Sequence, residues 1–86
     1  MTRDYRVFVH LESLEALPAS GARRNAVVRF LRDLGSIAHL GGDFQVTDPV
    51  TSRRLQVSHV GGFAITWWID GPAYEVKVVD VRTIAR

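Results

Sequence analysis

The side chains best suited to chemistry in this sequence are arginine, tryptophan and a few histidines. Residues 53–71 read RRLQVSHVGGFAITWWIDG, with Trp67 and Trp68 adjacent. Neighbouring residues on a strand point to opposite faces, so burying Trp67 leaves Trp68 on the other side. Phe63, Ile65, Trp67 and Ile69 then share one face, and Ala64, Thr66, Trp68 and Asp70 share the other. Leu55 and Val57 are expected to join the first set, which places Arg54, Gln56 and Ser58 beside Trp68. That phase requires a connection of roughly three or five residues around HVGG. An exposed tryptophan beside arginine has the make-up of an interaction hot spot. Gln56, Thr66 and Trp68, with the neighbouring Arg53, are the expected partner-binding residues. The bland alternative is a C-terminal tail folded over Trp68 as a satellite cluster.

Other constellations are weaker. Arg24, Arg29 and Arg32 belong to a helical stretch; Arg29 and Arg32 fall together on its solvent side, a phosphate-contacting patch or simply a solvated face. His10, His39 and His59 show no short spacing that sets two ligands on one element, so no metal is expected. No Gly-x-Ser-x-Gly elbow occurs. The glycine pairs of HLGGD and HVGGF lack the rest of a phosphate loop and read as turns. No cofactor is expected.

The elements that must position these residues follow from periodicity. Tyr5, Val7 and Val9 alternate with Arg6, Phe8 and His10 as a first strand. Leu11, Leu14 and Leu17 then recur at three-residue spacing in a short helix that Pro18 stops. A longer helix is expected from about Ala22 to Leu34, with Ala26, Val27, Phe30, Leu31 and Leu34 as its apolar stripe. Ser20 is the expected cap and Gly35 the expected C-terminus. From Gly41 onward the pattern is β: DFQVTDP, RRLQVS, FAITWWI and YEVKVVDV, with a DGP turn before the last. In that last strand Val76 and Val78 give way to Val79 and Val81 in the opposite parity, which predicts a bulge or a strand covered on both faces. The expected class is α+β: strand, helix, helix, then a three- to four-stranded antiparallel sheet with the helices on one face.

At 86 residues the chain is read as one domain, 1–86, and 47% hydrophobic residues suffice for one core. So small a domain leaves little room for a deep pocket, and function is expected on a surface. Cysteine is absent, which removes disulfides and thiolate metal sites. The opening MTRDYRVFVHLES lacks the apolar run of a signal peptide and no stretch reaches spanning length, so a cytoplasmic protein without membrane contact is expected. Net charge is +2, and Lys77 is the only lysine among eleven basic residues. Arginine suits bidentate contact with phosphate or carboxylate, although a GC-rich genome explains the bias equally.

In order and spacing the chain resembles the RelE/ParE superfamily, the toxins of type II toxin–antitoxin modules. YRVFVHLESLEALPAS looks like the family's opening strand and first helix, and RRNAVVRFLRDL like its second helix. RRLQVSHVGGFAITWWIDG followed by YEVKVVDVRTIAR looks like its closing hairpin and final strand. The resemblance implies a small acidic antitoxin as partner, and a target that is the ribosome with its mRNA or DNA gyrase. For the ribonuclease members it implies basic residues on the second sheet strand, matched by Arg54, and an arginine ending the last strand, matched by Arg82. The position after the turn aromatic Phe63 is Ala64 rather than arginine. Next on the Arg54 face is Gln56 rather than a cation, and Arg86 stands where a terminal aromatic acid/base is usual. Arginine is a poor general base, so proton transfer would fall to His59, whose bland reading is a loop histidine. These departures leave activity uncertain between a nuclease, a gyrase inhibitor and a degenerate member. A non-enzymatic protein- or RNA-binding module using the Arg54/Trp68 face is the alternative, and a homodimer hiding Trp68 is a third.

Overall fold

The computed structural model describes residues 4–84. The chain runs β1 (Arg6–Val9), a 3-10 segment (Leu11–Ala16), α1 (Ala22–Ile37), a 3-10 turn (Ala38–Leu40), β2 (Phe44–Thr47), β3 (Arg54–Val60), β4 (Phe63–Asp70) and β5 (Glu75–Thr83). These strands form one five-stranded sheet in the order β1-β5-β4-β3-β2. β2 through β5 are antiparallel, and β1 adds to β5 in parallel. The class is α+β, with one more strand in the sheet than the antiparallel run alone predicts.

The three-residue leucine spacing has a physical meaning, because a 3-10 helix has three residues per turn. Leu17 is buried and Leu14 packs on the core, while Leu11 is exposed. In α1 the predicted stripe holds: Val27 and Leu34 are buried, and Phe30 and Leu31 pack against the same core. The helix starts at Ala22 as expected, but both predicted caps need correction. The N-cap is Gly21, at φ 106°, and Ser20 does not cap the helix. Gly35 lies within α1 rather than beyond it. Its role is close approach: the Tyr5 N–H donates to the Gly35 carbonyl at 2.9 Å, and a Cβ on Gly35 would overlap the Tyr5 carbonyl oxygen.

One face of the sheet builds the core. Phe63, Ile65, Trp67, Val76, Val78 and Val81 pack against Leu17, Val27, Leu34 and Ala38. Trp67 is 1% exposed, and its indole N–H donates to the Ser58 hydroxyl at 3.0 Å. That bond satisfies the one polar atom a buried tryptophan carries.

The phase between β3 and β4 differs from the sequence expectation. Val60 pairs directly with Phe63, so the connection is the two-residue turn Gly61–Gly62, at φ 59° and 83°. Both glycines take the positive φ that a tight primed hairpin demands. An even-numbered loop sets Gln56, Ser58 and Val60 opposite Trp67, Ile65 and Phe63 on the core side. Leu55 and Val57 go to the outer face with Thr66 and Trp68, where Val57 is nonetheless buried and pairs with Phe44. The glycine pair was the signal in the sequence that fixes this register. The bulge, in contrast, is where the valine parity places it: Thr66 pairs with Asp80 and Trp67 with Val78, leaving Val79 as the extra residue.

Candidate functional site

Opposed residues in a sheet share a face, so the outer face resolves into rows across the strands. Phe8, Lys77 and Trp68 form one row across β1, β5 and β4. His59, Ala64 and Arg82 form another across β3, β4 and β5. Thr66 and Asp80 lie between them. The long helix α1 packs on the core side, and Phe8, Phe44 and Val46 are exposed on the outer face.

The first row floors a groove of about 470 Å³ lined by Phe8, His10, Arg53, Trp68, Lys77 and Val79, with Val9 and Glu75 completing it. The Arg53 guanidinium lies 3.8 Å from the Trp68 ring centroid, and Lys77 Nζ lies 5.1 Å from it. Arg6 sits 5.6 Å from the Phe8 ring. Each groove aromatic therefore carries a cation, an arrangement the ring quadrupole favours. Carboxylates hold most of these cations in place: Arg6 pairs with Glu75 at 3.0 Å, and Lys77 with Asp70 at 3.3 Å and Glu75 at 3.7 Å. Arg53 makes no ion pair among the described residues. Val79 reaches the groove because the bulge redirects it.

Arg53 is aimed by the turn before β3. The Asp48 carboxylate accepts the Val50 N–H at 2.9 Å, and the Asp48 N–H donates to the Arg53 carbonyl at 2.8 Å. The Val50 N–H is the main reason the Asp48 carboxyl titrates below its ordinary value of 3.8, with a smaller contribution from the Arg53 charge. A depressed carboxylate pKa stabilises the turn above the unfolded value and loses that effect as pH falls through the folded one. Acidification below about pH 4 is expected to loosen this turn. The Asp48 and Val50 amides should then lose protection relative to their intrinsic exchange rates in an NMR pH series while β4 amides stay protected. Uniform exchange across both would refute it.

The second row brings together two of the three residues implied for catalysis. His59 and Arg82 flank Ala64, about 10 Å apart across two strand spacings. Arg82 is exposed and pairs with Asp80 at 3.4 Å. The His59 ring stands edge-on to Phe44 at 5.3 Å. Arg54 does not join them. It pairs with Thr47 in the phase of Gln56, on the opposite face from Arg82 and Trp68. Gln56 likewise leaves the expected partner-binding surface, since its side-chain carbonyl accepts the Gly42 N–H at 2.9 Å. Thr66 remains on the Trp68 face. Arg29 and Arg32 are exposed on α1, whereas Arg24 is half-buried and donates to the Pro18 carbonyl at 3.2 Å. Arg23 clamps the hairpin turn, donating to the Gly61 carbonyl at 2.9 Å with its guanidinium 4.8 Å from the Phe63 ring. Arg86 lies outside the described residues. Among those residues no group of His, Asp or Glu is arranged to hold a metal ion, and no helix is long and apolar enough to cross a membrane.

No family model and no curated protein matches this chain. A structural match exists. The chain superposes on a chain of the crystal structure of the archaeal RelE–RelB complex from Pyrococcus horikoshii OT3 with a TM-score of 0.69. The match covers 96% of this chain and 98% of that one, at 17% sequence identity. The fold is RelE-like.

On this RelE-like scaffold, two groove residues, Trp68 and Arg53, belong to the expected partner-binding set, whereas Phe8 and Lys77, and Arg6 over Phe8, do not. Phe8 is the one large apolar residue on the charged side of the β1 alternation, which was a usable signal. Phe8, with Arg6 beside it, arrives through the parallel β1–β5 pairing, which no local pattern announces, whereas Lys77 meets Trp68 across the β4–β5 hairpin.

Proposed function

We propose that this chain is the toxin component of a type II toxin–antitoxin module, acting in the cytoplasm and neutralised by a small acidic antitoxin. The observation that carries this reading is the RelE-like fold over nearly the whole chain. Within it, inhibition of DNA gyrase by docking is favoured over mRNA cleavage. Arg54 stands on the face away from Arg82, and Arg82 is engaged by Asp80. Cleavage at a 2′-hydroxyl needs a base and charge stabilisation converging on one phosphate, and Arg54 does not converge with Arg82 to supply that charge.

A second reading, ribosome-dependent mRNA cleavage, rests on the His59–Ala64–Arg82 row. An imidazole and a guanidinium flank a small residue there, leaving open floor between them. In both readings Arg82 faces the target.

Expression of the chain alone is expected to arrest bacterial growth, and Arg82→Ala to relieve the arrest. Purified protein should block gyrase supercoiling without cutting mRNA on ribosomes. The reverse pattern would select the nuclease, and harmless high-level expression would end the toxin reading.

A further inference from the structure

We infer that the Phe8–Trp68 groove is a docking site for a short acidic peptide segment carrying one large apolar side chain. The inference deepens the proposed function, and rests on it for its biological setting, by stating what a partner must present at this groove.

Three features define the occupant. The floor is apolar: Phe8, Trp68 and the bulged Val79 line it beside Lys77, and a groove of about 470 Å³ has ample room for a large apolar side chain. Burying such a side chain supplies the non-directional part of the affinity. The second feature is Arg53, the one groove cation with no carboxylate of its own among the described residues. Its Cζ lies over the Trp68 ring, 3.8 Å from the centroid, and that contact holds the guanidinium while leaving its N–H groups for a visiting carboxylate. Asp48 feels its field without forming an ion pair, being occupied with the Val50 amide. The third feature is the mixed rim. Glu75 lines the groove, with Asp70 and Asp80 on the same face. A nucleic-acid backbone carries a negative charge at every step, and these carboxylates would repel it. A peptide can set one carboxylate against Arg53 and keep neutral groups near Glu75. A second copy of this chain would bring the same mixed rim, with no surplus of acid to set against Arg53.

The pairing is therefore apolar anchor to Phe8, Trp68 and Val79, and neighbouring carboxylate to Arg53. Partners of this kind gain specificity from the charge and affinity from the anchor.

The test is selection of random short peptides from a displayed library on the full-length chain. The expected consensus is an aromatic or leucine residue next to Asp or Glu. On Arg53→Glu the flanking preference should switch to Lys or Arg. On Trp68→Ala the best selected peptide should bind about tenfold or more weakly, with the thermal melt showing the fold intact. A consensus without acidic residues, or one indifferent to Arg53→Glu, overturns the inference. So does salt-sensitive binding of oligouridylate that competes with the selected peptide, or a dimer by light scattering that Trp68→Ala dissolves. Growth arrest reports separately. A failed selection with a toxic protein removes the groove proposal alone, and an acidic consensus with a harmless protein removes the toxin reading alone.

Discussion

Trp67→Ala is expected to cost about 3–5 kcal/mol of folding stability, while Trp68→Ala, one residue further on, should cost about 1 kcal/mol. The two indoles are chemically identical and covalent neighbours, so the contrast isolates the pleat. Trp67 sits at 1% exposure among Phe63, Ile65 and Val78. Its removal opens a cavity under α1 and leaves the buried Ser58 hydroxyl without its donor. Trp67→Phe separates the two losses, since the ring volume is partly restored but the N–H is not. That variant should still lose roughly 1–3 kcal/mol for the orphaned polar group. A domain of this size holds on the order of 5–10 kcal/mol in total, so the alanine variant should be close to unfolded at room temperature. Urea denaturation of the three variants checks this. Equal midpoints for the two alanine variants would mean that the assigned faces are wrong.

Gly35→Ala is expected to destabilise by about 3 kcal/mol, a drop of roughly 12–24 °C in melting temperature. The sign is what makes this diagnostic. In an exposed helix interior the same change stabilises by up to about 1 kcal/mol, because glycine is the poorer helix former. Here the added methyl would occupy the space of the Tyr5 carbonyl, and the Tyr5 N–H bond to Gly35 holds that backbone in place. Relief requires β1 to move off α1, which also disturbs the parallel pairing of Arg6 through Val9 with β5. Calorimetry on the single variant decides it, and an unchanged or raised melting temperature would refute the close approach. Because β1 carries Phe8, the substitution should also weaken the outer groove without touching it directly.

Much of the architecture was legible locally. The α1 stripe, the three-residue leucine spacing, the DGP turn and the parity slip at Val79 each follow from interactions within a few residues. Local sterics and burial periodicity decide such features, and they leave a mark in the order of side chains. Even the β3–β4 phase was present, in a glycine pair whose tight turn sets Val60 against Phe63. It was hidden because Leu55 and Val57 look like core residues, and apolar character alone does not say which face is covered.

By itself the sequence determined the α+β class, the buried Trp67 with Trp68 on the opposite face, and the parity slip at which the bulge forms. Tertiary structure alone decided that β1 joins β5 in parallel, which assembles Phe8, Lys77 and Trp68 from three strands into one row. It alone decided that Arg54 and Arg82 stand on opposite faces, and that Gly35 is a contact point rather than a helix end. The physical reason is the same in each case. Residues tens of positions apart are brought together by loop closure and sheet pairing, whose free energy depends on the whole core and leaves no periodic trace in any one segment.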